Sequence, residues 1–337
     1  MHRSPFALAL LVLACVACDG DKDTADTADE ACGVRVRTFP LQGAVSAYYR
    51  SDVEFKLTTP DATAQITTDI PGSQELSADG LTVYWRLSQP LAPSTTYSAS
   101  LTYCTGTVEL SFTTSALGTA IPDASTLQGR TYLLNLADAR ITEPPGIGAL
   151  LSSELDGVSI YTGITDVTAT TITVIGGLGR EDAATPTQEY CDPTIDFPVA
   201  DFTASPHFEI SGDGATPITV AGTTVYIENL NISGDFASDL SYFGGGVLAG
   251  TIDTRPLDFE FGDEVGFICD TAAALGVVCA PCGDGEPFCL SLVADSIDAQ
   301  LVADLELVVI DGNNCVGCVE GPPPDASDIC DEDPAAP

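Results

Sequence analysis

Tyr97-Ser98-Ala99-Ser100-Leu101-Thr102-Tyr103 and, a few residues on, Val108-Glu109-Leu110-Ser111-Phe112 place apolar and polar side chains at alternating positions. Successive side chains of a strand point to opposite faces. A period of two therefore gathers Tyr97, Ala99, Leu101 and Tyr103 on one face, and Ser98, Ser100 and Thr102 on the other. A helix would mix the two sets, so both segments read as half-buried strands. Outward along the chain the pattern recurs in Val53-Glu54-Phe55-Lys56-Leu57 and in Leu81-Thr82-Val83-Tyr84-Trp85-Arg86-Leu87, which holds the single Trp. Turn-forming stretches, Pro60-Asp61-Ala62 and Ala78-Asp79-Gly80, lie between them. Short strands at this spacing predict an antiparallel sandwich over 31–116.

The next 200 or so residues continue in the same style, a length ordinary for one β domain of about 200 residues. Thr131-Tyr132-Leu133-Leu134-Asn135-Leu136, Gly157-Val158-Ser159-Ile160-Tyr161-Thr162-Gly163-Ile164 and Thr171-Ile172-Thr173-Val174-Ile175 are strand-like. So are Thr224-Val225-Tyr226-Ile227-Glu228-Asn229-Leu230-Asn231-Ile232 and Val247-Leu248-Ala249-Gly250-Thr251-Ile252-Asp253. Glycine groups such as Gly176-Gly177 and Gly244-Gly245-Gly246 read as punctuation between strands. The stretch 290–310 fits a helix in its first half and a strand at Leu305-Glu306-Leu307-Val308-Val309. Pro144-Pro145-Gly146-Ile147-Gly148-Ala149-Leu150-Leu151 reads as a turn entering a short helix. The expectation is an all-β chain: a sandwich over 31–116, then a larger antiparallel barrel or sandwich over 117–319, stapled by disulfides. An acidic, Pro-rich tail fills 320–337.

Charge excludes one large class of function. The chain of 337 residues carries 49 acidic and 11 basic side chains, a formal net charge of −38. Nucleic-acid binding needs Lys and Arg against phosphates, so none is expected. Residues 256–337 hold 18 acids and no Lys or Arg, which reads as a solvating surface. Asp295, Asp298 and Asp304 are the acids there considered for weak divalent-cation binding, which requires that they converge.

The start of the chain, MHRSPFALALLVLACVAC, has Arg3 and then an unbroken apolar run from Phe6 to Ala17. That run is too short for a bilayer span of about 20 residues and reads as a secretory leader over 1–17. Small residues followed by Cys resemble the lipobox of bacterial lipoproteins. Cys15 and Cys18 compete. Cys18 is favoured because polar sequence follows at once, and because cutting there leaves ten further cysteines, an even number. The resemblance implies a diacylglycerol thioether on Cys18 and an acylated amino group, enough chains to hold the protein firmly on a membrane. Residues 18–30 then form the anchor and an Asp-Thr-Ala tether, with six acids and one Lys after Cys18. Self-repulsion keeps such a segment extended. Asp19, Asp21, Asp23 and Glu30 mimic calcium-loop spacing, but Thr24 stands where the loop needs Gly.

Three further segments resemble bacterial Ig-like domains. Phe39-Pro40-Leu41-Gln42-Gly43-Ala44 is similar to their opening P-x-x-G-A. Pro90-Leu91-Ala92-Pro93-Ser94-Thr95-Thr96-Tyr97 is similar to their P-L-x-P-x-T-x-Y, and Phe112-Thr113-Thr114 to their closing strand. The resemblance covers about a quarter of the chain and implies a spacer or adhesive module without catalytic residues. The layout as a whole resembles lipoproteins of myxobacteria and related groups, to which no activity attaches. It includes Gly250-Thr251-Ile252-Asp253-Thr254-Arg255, Cys279-Ala280-Pro281-Cys282-Gly283-Asp284-Gly285 and Phe288-Cys289-Leu290.

Export bears on the cysteines. In an oxidising compartment Cys32, Cys104, Cys191, Cys269, Cys279, Cys282, Cys289, Cys315, Cys318 and Cys330 are disulfide candidates. Cys32 and Cys104 flank the sandwich and are candidates for bridging. The other eight allow 105 pairings. Cys279-x-x-Cys282 with Cys315-x-x-Cys318 has a zinc-ribbon outline, but its spacing is long and zinc requires free thiolates. A redox C-x-x-C would need a βαβ setting, which is missing. The cluster at 269–289 is expected to staple an irregular loop.

No catalytic set emerges. After the leader only His207 remains as an imidazole, without a Gly-x-Ser-x-Gly elbow, and a lone His is usually structural. No phosphate loop or dinucleotide fingerprint occurs. No cofactor, metal site or enzymatic activity is expected. The resulting functional expectation is a non-enzymatic, lipid-anchored cell-envelope protein on the outer membrane or cell surface, whose Ig-like module presents a β domain to an envelope partner. One alternative is a barrel carrying an apolar small molecule or lipid. The other is a carboxylate-dependent hydrolase.

Overall fold

The computed structural model describes residues 33–310, apart from 105, 137, 145–157, 181–184, 190–192, 213, 221–222 and 262–263. The leader, Cys18, the tether, Cys32, Cys191, Cys315, Cys318, Cys330, the tail and the short helix expected from Pro145 lie outside the described residues.

Seven strands form the N-terminal module: β1 (Val36–Phe39), β2 (Val53–Leu57), β3 (Gln65–Thr68), β4 (Gly72–Leu76), β5 (Thr82–Leu87), β6 (Thr96–Tyr103) and β7 (Gly106–Thr113). They pair as β1-β2-β5-β4 and β3-β6-β7. Sheets of four and three strands are the arrangement of an Ig-like sandwich. Register follows the alternation. In β6, Ala99, Leu101 and Tyr103 are buried while Thr96, Ser98 and Thr102 are exposed; in β7, Val108, Leu110 and Phe112 are buried. The Gln74 amide links the sheets at one edge, accepting from the Ile66 N–H at 2.7 Å and donating to the Ala64 carbonyl at 2.9 Å.

The larger region contains β8 (Thr131–Asn135), β9 (Arg140–Glu143), β10 (Ile160–Val167), β11 (Thr171–Leu178), β12 (Ile195–Asp196), β13 (Ala200–Asp201), β14 (His207–Ser211), β15 (Ala215–Val220), β16 (Thr223–Phe236) and β17 (Tyr242–Asp253). Two short helices follow, α1 (Arg255–Phe261) and α2 (Phe267–Ala274), and then β18 (Cys289–Val302). Pairing runs β10-β8-β18-β17-β16-β14-β13-β11, and β11 pairs back to β10. The result is a closed antiparallel barrel of eight strands, which settles the barrel-or-sandwich expectation. Closure removes the free edges an open sheet would expose.

An eight-stranded barrel is just wide enough for side chains to fill it. Here Tyr132, Phe202, Phe208, Phe236 and Phe243 meet inside, with ring centroids 5.1 Å apart for Phe208 and Phe236 and 5.5 Å for Tyr132 and Phe243. The Tyr132 hydroxyl donates to the Leu240 carbonyl at 3.1 Å. The long strands β16, β17 and β18 overrun the barrel. With β15 and β9 on its flanks, the overrun forms a five-stranded wing in the order β15-β16-β17-β18-β9.

Three details differ from the sequence reading. Gly176-Gly177 lies inside β11 and Gly244-Gly245-Gly246 inside β17, not between strands. The ambiguous stretch is a strand to Val302, with irregular chain after Asp304. The cysteine cluster holds a small helical insertion, not only a loop. Cys269 on α2 bonds Cys279, and Cys282 bonds Cys289 at the start of β18. Asp258 of α1 is buried and accepts from the Gly266 and Ile268 N–H groups at 2.7 and 2.8 Å, tying the two helices together.

Candidate functional site

Strand alternation fixes where the polar chemistry gathers. In β16 the ring of Phe236 enters the barrel, so the neighbouring Asp235 must point out through the wall. His207 on β14 sits opposite Asp235 in register, and Phe208 turns inward beside Gly234. A Cβ on Gly234 would stand 3.1 Å from the Phe208 ring. The outer side of this wall meets the β1–β2 connection of the sandwich, which carries Tyr48-Tyr49-Arg50.

Asp235 is the centre of that seam. Its side chain has no solvent exposure. A buried carboxylate must be hydrogen-bonded and paired, or it neutralises itself. Tyr49 Oη donates to Oδ1 at 2.5 Å, and Tyr48 Oη donates to Oδ2. His207 Nδ1 lies 2.9 Å from Oδ2. An ionised carboxylate can only accept, so Nδ1 carries the hydrogen. Arg50 Nε is 3.7 Å from Oδ2 and donates to Tyr49 Oη at 2.9 Å. The two tyrosine rings meet edge to face at 5.4 Å.

Burial alone would raise the Asp235 pKa; hydrogen bonds from His207, Tyr48 and Tyr49 outweigh it and hold the carboxyl below the usual carboxylate range. Burial, then the Asp235 charge, pushes the Tyr48 phenol far up. Burial, with the hydrogen bond to Asp235, pushes Tyr49 up to about 12. Both phenols therefore stay protonated donors at neutral pH. The arrangement is a locked ion cluster.

Glycines let the surfaces approach. Gly245 has φ +62° and lies against Tyr48, where a Cβ would stand 2.2 Å from the ring. Gly118, φ +89°, takes the Tyr49 ring in the same way at 2.7 Å. Leu117 and Ala237 complete the sandwich core, and Tyr242 packs against it. A second contact lies beside the first. Arg140 on β9 binds Asp295 of β18 at 2.6 Å and Glu54 of β2 at 3.1 Å, with its guanidinium 3.9 Å from the Phe39 ring centroid. Arg140 thus joins the wing to the sandwich.

The sequence candidates are placed as follows. Cys269, Cys279, Cys282 and Cys289, all disulfide candidates, form two disulfides, which occupies both sulfurs of the Cys279-x-x-Cys282 pair that has half of a zinc-ribbon outline. Cys104 is disulfide-bonded too; its expected pairing with Cys32 lies outside the described residues. His207 belongs to the seam, and among the described residues no nucleophilic hydroxyl bonds its ring. The three acids considered for cations do not share a site: Asp295 is bound to Arg140, Asp298 accepts from the Gly245 N–H at 3.4 Å, and Asp304 follows β18 at a positive φ. Burial raises the Asp298 pKa, offset in part by that N–H. Among the described residues no group of three His, Cys, Asp or Glu is arranged to hold a metal ion, and no helix is long and apolar enough to cross a membrane.

Sequence reasoning missed Asp235, Tyr48, Tyr49, Arg50 and Arg140. The available signals were the Tyr-Tyr-Arg tripeptide in a turn-rich stretch and an Asp beside an inward aromatic. Neither names its partner, since the Tyr48–Asp235 contact spans 187 residues. No family model and no curated protein matches the chain.

Proposed function

We propose that this chain is a non-enzymatic, lipid-anchored protein of the bacterial cell envelope, in which the Ig-like sandwich carries the barrel at a set angle for binding or a structural role. The observation that supports the reading best is the seam at Asp235. A flexible spacer would need only a linker, whereas here a buried charge, two tyrosines, a histidine and fitted glycines join the two modules. Such joints resist domain motion, which is otherwise the default for domains in one chain. The lipobox-like end at Cys18 and the acidic tether supply the attachment, on the outer membrane or cell surface.

The ring-filled interior lends no support to carriage of an apolar small molecule. Among the described residues the two fully buried carboxylates, Asp235 and Asp258, are both committed to protein donors and lend none to a hydrolase. Metabolic labelling with radioactive palmitate tests the anchor. The intact protein takes up label and fractionates with the envelope, and Cys18→Ser abolishes both. Loss on Cys15→Ser alone would move the anchor to that residue. An unlabelled, cytosolic product would overturn the reading.

A further inference from the structure

We infer that the cleft between the start of β8 and the chain leaving β18 binds a small diamino acid, a molecule with one carboxylate, two ammonium groups and an aliphatic chain between them. This rests on the binding role proposed for the barrel and adds a site and a ligand class to it.

The cleft follows from how β18 ends. Val302 pairs with Thr131 at the last register position. Asp304 then takes a positive φ of 63°. The chain turns there, and Leu305 and Leu307 pack with Tyr161 and Ile175 on the barrel wall. An open cleft of about 490 Å³ is left beside the turn, a size in the range of small-molecule sites. Gly129, Arg130, Leu301, Asp304, Leu305 and Glu306 line it. Gly129, Arg130 and Glu306 also line a smaller recess of about 90 Å³. A Cβ on Gly129, φ +77°, would stand 3.6 Å from Glu306 Oε1, so that carboxylate lies against Gly129, the chain neighbour of Arg130.

The charges of the cleft are left open. Arg140 and Arg255 each bind two carboxylates. Arg130 shares its cleft with Asp304 and Glu306, yet among the described residues no ion pair joins it to either. Its Nε donates to the Thr126 carbonyl at 2.6 Å, which anchors the guanidinium and leaves both Nη groups without a partner among the described residues. An isolated anion at Arg130 would face two carboxylates and a chain of net charge −38. An isolated cation would face the guanidinium. A ligand that carries both signs satisfies all three side chains. Arg130 takes its carboxylate through parallel N–H donors, and Asp304 and Glu306 accept from its two ammonium groups. Leu301 and Leu305 offer apolar surface to the methylenes between.

The test titrates the intact protein at physiological salt with free L-lysine, with cadaverine, which lacks the carboxylate, and with L-norleucine, which lacks the second ammonium. Binding is read from nitrogen-15 amide shifts of Gly129, Ala303 and Glu306, so that general attraction of cations to an acidic protein does not count. Lysine is expected to bind on the order of fivefold more tightly than either control, since each control loses one exposed charge pair. Arg130→Gln should erase the preference over cadaverine and keep that over norleucine. Asp304→Asn with Glu306→Gln should do the reverse. The substituted side chains lie at the surface of the cleft, so unfolding midpoints should stay at the parent value. Lysine that leaves the cleft amides unmoved, or that binds no better than either control, would overturn the inference, as would a folded variant that keeps both preferences. None of these outcomes depends on palmitate labelling, so the anchor and this site fail separately.

Discussion

The seam and the stapled insertion are held by opposite means. At the seam two large cores meet, and a buried carboxylate with four polar partners fixes how they meet. In the insertion the buried hydrophobic cluster among the described residues is only Ala272 and Val277, and two disulfides do the holding. Where apolar burial is ample, polar groups can be spent on orientation. Where it is scarce, covalent links constrain the unfolded state instead. The two regions should therefore fail differently, one with the global fold and one by itself.

The largest expected effect is at Asp235. Asp235→Ala removes the acceptor for three donors and leaves Arg50 without its buried partner; breaking such a cluster typically costs about 3–5 kcal/mol. Urea unfolding followed by Trp85 fluorescence should show it as a lowered midpoint. Removing Cys269–Cys279 by paired Ser substitution opens a loop of sequence separation 10, worth about 2–3 kcal/mol in the chain-entropy view. Hydrogen exchange should speed up across α2 while the seam stays protected. If the whole chain loosens equally, the contrast between the regions is wrong.

Gly245→Ala places a Cβ into the Tyr48 ring at a positive φ. It should cost about 1–3 kcal/mol and disturb Tyr48 before any barrel residue, as read by tyrosine ring shifts. Arg140→Ala is milder, because the guanidinium is 34% exposed and solvent screens such pairs to about 1 kcal/mol or less. The smallest effect at neutral pH is protonic. Asp235 binds its proton less readily in the fold than in the unfolded chain, where carboxyls titrate near about pH 4. Its contribution is fully present above that value and is lost as pH falls through the lower folded pKa. Asp235→Asn should flatten the acid limb of a stability profile; an unchanged limb would show that another carboxyl sets it.

The strands were legible because their cause is local. Ala99, Leu101 and Tyr103 are buried for the reason visible in the sequence, and β2 begins and ends at the residues whose alternation announces it. The glycines of β17 misled because glycine has two uses. Turn chemistry suits Gly244-Gly245-Gly246 equally well, and only the docked Tyr48 shows that close approach is the reason for them. The two helices escaped because they are short, although Thr254 before Arg255-Pro256 is a helix-start signal. Asp235 was illegible for a plainer reason. It is one of 49 acids, and what distinguishes it arrives from Tyr48, Tyr49 and His207 only after both modules have folded.

Backbone nitrogen-15 relaxation on the intact protein tests the rigid seam most directly. Amides of residues 33–116 and of the barrel should report one common rotational correlation time, and Asp235→Ala should make the sandwich tumble faster than the barrel. Separate correlation times in the parent protein, or an Asp235→Ala variant that still tumbles as one body, would contradict it.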